Sequence, residues 1–280
     1  MRARLFAAGG GDRVRMLNVA LVTWSGLPAL SDDDQLLQAE LRRRGIEAKA
    51  VVWDDPQVAW AEFDQVILRS TWDYHKRVDE FRAWVAKRDN LRNPRETVLW
   101  NLHKRYLLEL EPIVPTALVE AGGDARTVAE GRGWSRVVIK PAVSATAWRT
   151  ELIDAKDAGV YDRDVLVQPY MAEIERGEWS LIFFGGAFSH AVLKRPKSGD
   201  FRVQSDFGGS AHATVPDGTL IEQARKLVQR DWLYARVDGI EQDGRFLLME
   251  LELTEPALFF QADRAAAGRF ADALELHRCP

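Results

Sequence analysis

The sequence predicts an α+β protein in which an open α/β unit precedes a mostly antiparallel remainder. Two observations predict it. Strand-like and helix-like runs alternate up to about residue 100, the pattern of a small open sheet covered on both faces. After Gly177 the pattern turns to hairpins, 179–184 and 187–194 around Gly185-Gly186, then 233–240 and 246–253. The length agrees, since 280 residues at about 150 per domain make about two domains or three small ones. The expected divisions are a flexible leader at 1–15, an N-terminal α/β substrate domain at 16–100, and subdomains at 101–171 and 172–280.

Residues 17–23 (LNVALVT) read as a buried strand. Ser31 has the marks of an N-cap, because three aspartates fill the next turn and Asp34 takes the capping-box position. Arg42, Arg43, Arg44 and then Gly45 close that helix in agreement with its dipole. Residues 48–53 and 65–69 read as strands and 78–88 as a helix. A helix at 102–110 leads through Pro112 and Pro115 to a strand, and another strand precedes Lys140. A strand at 164–168 breaks at Pro169, and helices are expected at 218–229 and 263–277.

Composition narrows the function. Apolar residues make up 46% and charged residues 29%, and 38 basic against 42 acidic side chains leave a net charge of −4. That balance gives no electrostatic reason to bind nucleic acid or an anionic membrane. No apolar run approaches the roughly 20 residues of a spanning helix, and 5–8 is too short for a signal peptide. The single cysteine, Cys279, excludes an internal disulfide and a cysteine-based zinc site, so a reducing cytoplasm is expected. No G-x-G-x-x-G follows the first strand, and G-x-x-x-x-G-K-[ST], H-E-x-x-H and G-x-S-x-G are absent. These absences lower the odds of a Rossmann dehydrogenase, a P-loop ATPase, a zinc hydrolase and a serine esterase.

Three stretches carry chemistry. In 234–256, Glu250 and Glu252 share one strand face about 7 Å apart. With a three-residue turn at 242–244, Asp238 faces Leu248 and meets Glu250 diagonally, about 7–8 Å away. Three carboxylates on one face repel unless a cation lies between them, and oxygen donors with substrate phosphates suit Mg²⁺. The same alternation also fits a solvated hairpin face. The loop KRPKSGDFR supplies Lys194, Arg195, Lys197 and Arg202, able to grip a carboxylate or phosphate, or kept only for solubility. Lys140 ends a strand, where it can reach a phosphate. In the N-terminal unit Arg69, Thr71 and Asp73 follow a strand, at the end where open α/β sheets hold ligands. There the alternative is a capped turn with Trp72 packed on the core.

Taken together, NLHKRYLLEL, VVIKP, VQPYM with Gly177-Glu178, KRPKSGDFRVQ with a following Gly-Gly, RVD and MELELTEP resemble the ATP-grasp enzymes. The order is the same and the likeness spans roughly residues 100–262. It is nearest to the carboxylate–amine ligase branch that includes glutathione synthetase and the ribosomal-protein glutamate ligase. Within that branch VVWDDP, LRSTWDYH, LHKRYLL, FSHAV and GDFRVQ resemble the cyclo-ligases that close O-ureido-D-serine to D-cycloserine.

The resemblance implies an ATP-grasp fold behind an N-terminal α/β domain, with ATP and one or two Mg²⁺ ions, or Mn²⁺, as cofactors. It implies that Lys104 and Lys140 hold phosphates under a loop containing Ser144. Gln168, Pro169, Tyr170 and Met171 would form the adenine hinge, and Glu178 would take the ribose hydroxyls. Lys194 and Arg202 would act on the phosphates and on the acceptor carboxylate or its acyl phosphate, with Asp238, Glu250 and Glu252 on the metal. Arg69, Thr71, Asp73 and Arg202 would contact a small amino-acid-like substrate, and a homo-oligomer is left open. Two departures stand out: Glu252 replaces the usual Asn, and the phosphate loop VSATA at 143–147 has no glycine. A non-catalytic ATP-binding protein on the same fold and a phosphotransferase with a hydroxyl acceptor are the other readings.

Overall fold

The computed structural model describes residues 16–197, 202–203 and 208–276, so the expected leader and Cys279 lie outside the described residues. The N-terminal unit contains β1 (Asn18–Thr23), α1 (Asp32–Arg43), β2 (Glu47–Val52), β3 (Gln65–Ser70), α2 (Val78–Val85) and β4 (Leu91–Arg92). Its sheet has the order β2-β1-β3-β4 with every pairing parallel. Parallel strands are buried on both faces, which is why Gln65–Ser70 is buried at all six positions. The capping expectation for α1 is met: the Asp34 N–H donates to Ser31 Oγ at 3.1 Å, and that hydroxyl donates back to Asp34 Oδ2 at 2.9 Å.

The expected helix at 102–110 is not continuous. An α-helix, α3 (Arg95–Asn101), comes first, and residues Lys104–Glu109 form a 3-10 turn. His103 breaks the run by taking an extended backbone and accepting the Arg105 N–H on its ring. The Lys104 N–H then donates to Ala142 O at 2.8 Å, which ties the turn to the next sheet.

That second sheet is built from β5 (Ala117–Val119), β6 (Arg136–Pro141), β7 (Glu151–Asp154) and β8 (Val165–Pro169), in the order β5-β8-β6-β7 and antiparallel throughout. The helix α4 (Ala125–Gly131) buries Ala125 and Ala129 in its core with Val137, Ile139, Val165 and Val167. The third sheet comprises β9 (Glu178–Phe184), β10 (Ala187–Arg195), β11 (Ser210–Ala213), β12 (Tyr234–Gln242) and β13 (Arg245–Glu252). Its order is β11-β10-β9-β12-β13, again antiparallel, with α5 (Gly218–Arg225) adding Leu220 and Ala224 to its core.

The closing helix α6 (Ala266–Leu276) packs back onto the first unit. Phe270 and Leu274 join Leu37 and Leu41 of α1, Leu21 of β1 and Tyr234 of β12 in one buried cluster. At the ~25 cal/mol per Å² expected for apolar burial, a core shared this way locks the first unit to the third sheet.

The turn between β12 and β13 is one residue shorter than the sequence reading. Asp243 and Gly244 alone form it, with φ of 51° and 75°, the conformation that Asp-Gly favours in a two-residue hairpin. Gln242 pairs with Arg245 and Gly239 with Leu248, and a bulge then places Asp238 directly opposite Glu250. The expected pairing of Asp238 with Leu248 is thereby corrected.

Candidate active site

A cavity of about 530 Å³ opens between the second and third sheets, with Trp72 and Tyr74 of the N-terminal unit on its wall. It is lined by Lys104, Lys140, Ser144, Gln168, Pro169, Tyr170, Met171, Glu178, Lys194, Arg202, Asp238, Glu250 and Glu252. Every ATP, phosphate and metal position expected from the sequence therefore meets in one place.

One end is apolar. Tyr170, Met171 and Met249 pack against Val114, Ile174, Val203 and Ile240, a slot suited to a flat base. Gln168 is fixed by donating its side-chain amide to Thr116 Oγ1 at 2.8 Å. The Tyr170 N–H is committed to Arg136 O at 2.9 Å, so a base would be read through the neighbouring backbone groups.

The other end is charged. Lys104, held by its 3-10 turn, donates to Ser144 O at 2.7 Å and lies 3.2 Å from Glu250 Oε1. Lys140, at the end of β6, reaches Met249 O at 3.4 Å, and burial depresses its pKa below the usual lysine value. Lys194 pairs with Glu178 and, at 3.4 Å, with Asp238. Burial works against its charge, but these two carboxylates outweigh it and raise its pKa. Burial raises the pKa of Glu178. It also opposes ionisation of Asp238 and Glu250, yet Arg236 with Lys194 holds the first below the usual range and Lys104 with Lys140 the second. Glu252 is pushed up to about 7 by burial.

Arg236 is the residue the sequence reading passed over. It lies two positions before Asp238 on β12, so the two side chains share a face, and it bridges Asp238 at 2.8 Å and Glu252. Its guanidinium offsets the extra charge that Glu252 brings in place of Asn. The signal was present in RVD, where the i, i+2 spacing applies to Arg236 as it does to the carboxylates.

Among the described residues no three His, Cys, Asp or Glu side chains converge on one point. Asp238, Glu250 and Glu252 are each engaged by a side-chain cation. Mg²⁺ is usually held by one or two carboxylates plus phosphate oxygens and water, so this oxygen-donor set suits it without a closed cage. The glycine-free loop also reaches the cavity, through Ser144, Ala145, Thr146 and Ala147. Thr146, Ala147 and Arg149 have φ of 52°, 54° and 53°, so left-handed turns form there at a cost of order 1 kcal/mol each.

The N-terminal residues expected to contact substrate lie elsewhere in the structure. Arg69, Thr71 and Asp73 do not line the cavity; Trp72 and Tyr74 do. Arg69 is fully buried, its guanidinium 2.9 Å from Asp34 Oδ1, donating to Pro256 O and lying over the Tyr234 ring. Thr71 is buried, and Asp73 accepts from Trp53 Nε1 at 3.0 Å and from Arg77 at 2.9 Å. Thr71 and Asp73 lie past the end of β3, where strand alternation no longer indicates which side chains meet the cavity.

A family description reading D-cycloserine synthetase DcsG, N-terminal domain, matches residues 19–101. The cycloserine biosynthesis protein DcsG of Streptomyces lavendulae is 31% identical, over 91% of this chain and 97% of that relative. The chain belongs to the DcsG family. A crystal structure of D-cycloserine synthetase DcsG superposes with a TM-score of 0.80 at 27% identity, covering 94% of this chain and 100% of that one. The D-alanine–D-alanine ligase of Bacillus anthracis follows at 0.62 and 13%, covering 94% and 97% of the two chains. A RimK-domain ATP-grasp protein of Sphaerobacter thermophilus gives 0.66 and 17%, covering 92% and 98%. The fold is thus ATP-grasp, and this member of the DcsG family is an ATP-dependent ligase. No helix among the described residues is long and apolar enough to cross a membrane.

Proposed function

We propose that the protein uses ATP to activate the carboxylate of O-ureido-D-serine and closes the molecule to D-cycloserine. The observation that carries this reading is the likeness to a cycloserine biosynthesis protein over nearly the whole of both chains. The cavity supports the chemistry. A carboxylate is a poor electrophile, and moving the γ-phosphoryl group of ATP onto one of its oxygens gives an acyl phosphate and ADP. The ureido nitrogen bonded to oxygen then attacks the acyl carbon, phosphate leaves, and water takes the carbamoyl group off as CO₂ and ammonia.

Phosphoryl transfer calls mainly for positioning and for neutralising charge. Lys104, Lys140 and Lys194 supply fixed positive charge, and Gln168 with Met171 offers backbone groups to the base beside Glu178 for the ribose. Mg²⁺, held by Asp238, Glu250 and Glu252, would further neutralise the phosphates. Arg202 would grip the carboxylate being activated, and Arg236 orients the two carboxylates it bridges. Intramolecular attack gains from proximity, which removes any need for a side-chain nucleophile.

The test is ADP release from ATP and Mg²⁺ with and without O-ureido-D-serine, followed by mass spectrometry of the products. Substrate-dependent ADP together with cycloserine is expected. ADP released only with other amino acids would keep the ligase and discard this substrate.

A further inference from the structure

Most of the charges in the cavity pair off; among the described residues Lys140 reaches only the Met249 carbonyl, and the one lining carboxylate left outside the ion pairs is Glu255. Lys104 takes Glu250, Lys194 takes Glu178 and Asp238, and Arg236 takes Asp238 and Glu252. Glu255 lines the same cavity and is only 9% exposed, yet its carboxylate has no ion pair or hydrogen bond among the described residues. A buried carboxylate without a partner is costly by several kcal/mol, so a site that keeps one is built for a cation from outside.

The surroundings select the kind of cation. Glu255 is anchored to the N-terminal unit, because its backbone carbonyl accepts the Trp72 indole N–H at 3.2 Å. Trp72 and Tyr74 line the cavity with it, as does Phe259, whose ring already carries the Arg236 guanidinium at 5.7 Å, and aromatic faces favour an organic cation. After burial, Glu255 is the foremost charge acting on the buried Tyr74 phenol. Burial first, and Glu252 next, push the Glu255 pKa up to about 8, the behaviour of a carboxylate awaiting a counter-charge.

We propose that Glu255 receives the α-ammonium group of the amino-acid substrate, an assignment that rests on the amino-acid ligase reading above. The ammonium would sit beside the Mg²⁺-binding edge, three residues from Glu252, with its carboxylate toward the phosphates. Held as an ammonium, that nitrogen has no lone pair with which to attack the acyl phosphate of a second substrate molecule, while within one molecule only the nitrogen bonded to oxygen can close a five-membered ring.

The experiment compares O-ureido-D-serine with 3-(ureidooxy)propanoate, which lacks only the amino group. ADP release is measured for the wild type, Glu255→Gln and Glu255→Asp, and calorimetric ATP affinity serves as a check that each variant is folded. The wild type should favour the amino compound by about 10–100-fold in kcat/KM, the worth of one charged hydrogen-bonded contact. Glu255→Gln should raise KM for the amino compound by a similar factor and erase the preference, while Glu255→Asp keeps part of it. An undiminished preference in Glu255→Gln overturns the proposal, as does a variant whose only change is weaker Mg²⁺ activation. If the wild type turns over a different amino acid instead, the cycloserine reading falls, and the same comparison on that compound and its des-amino form decides Glu255.

Discussion

Asp238 and Glu250 stand directly opposite each other across the β12–β13 ladder, at a bulge that falls between Asp238 and Gly239. One carboxylate is held by Arg236 and Lys194 and the other by Lys104, so two facing anions are kept ionised at the centre of the cavity. Glu250→Gln removes one of them and leaves the fold in place. Mg²⁺-dependent ADP release should fall by about 10³-fold, several kcal/mol of transition-state stabilisation. Wild-type-like turnover in that variant would remove Glu250 from the metal site.

The bulge needs Gly239. A Cβ there would lie 2.4 Å from Phe246 Cζ and 2.5 Å from the Leu247 carbonyl. Gly239→Ala should cost about 1–3 kcal/mol in denaturant unfolding and lower activity by shifting Asp238. Unchanged stability would mean that β13 yields freely at this point.

Arg69 separates a structural role from a substrate-binding one. Its ion pair with Asp34 is fully desolvated, so Arg69→Met strands a buried carboxylate and should destabilise the protein by about 3–5 kcal/mol. Thermal unfolding reads this directly. A stable variant with a raised substrate KM would restore the substrate role expected from the sequence.

Arg202 lines the cavity, and the proposed function has it grip the acceptor carboxylate. Arg202→Ala should lose acceptor-dependent ADP release by at least about tenfold while ATP binding holds, as expected for one charged contact. Acceptor dependence identical to the wild type would exclude it from the site.

The acidic edge makes stability depend on pH. Glu252 is raised to about 7 and Glu255 to about 8 from an ordinary 4.5, so the folded state holds protons that the unfolded chain has released. Their contribution is fully present below about pH 4.5 and is lost as pH rises through 7 to 8. Glu255→Gln should therefore melt higher than the wild type at pH 8 in the absence of ligands, with the gap closing toward pH 5. Equal melting temperatures at pH 8 would count against an uncompensated Glu255.

The sequence by itself determined the succession of elements and the chemistry of the charged end. Ser31 with Asp34 announced α1, residues 242–244 announced a hairpin, and the spacing of Glu250 and Glu252 placed them on one face, because caps, turns and strand alternation are local. Only the tertiary structure decided that Trp72 and Tyr74, just past the end of β3, line the cavity while Arg69 is buried against Asp34. Only it revealed that a bulge sets Asp238 against Glu250, that Arg236 pairs with Glu252, and that Glu255 has no ion pair among the described residues. Pairing between charges distant in the chain depends on how sheets pack, and periodicity within a strand carries no record of that.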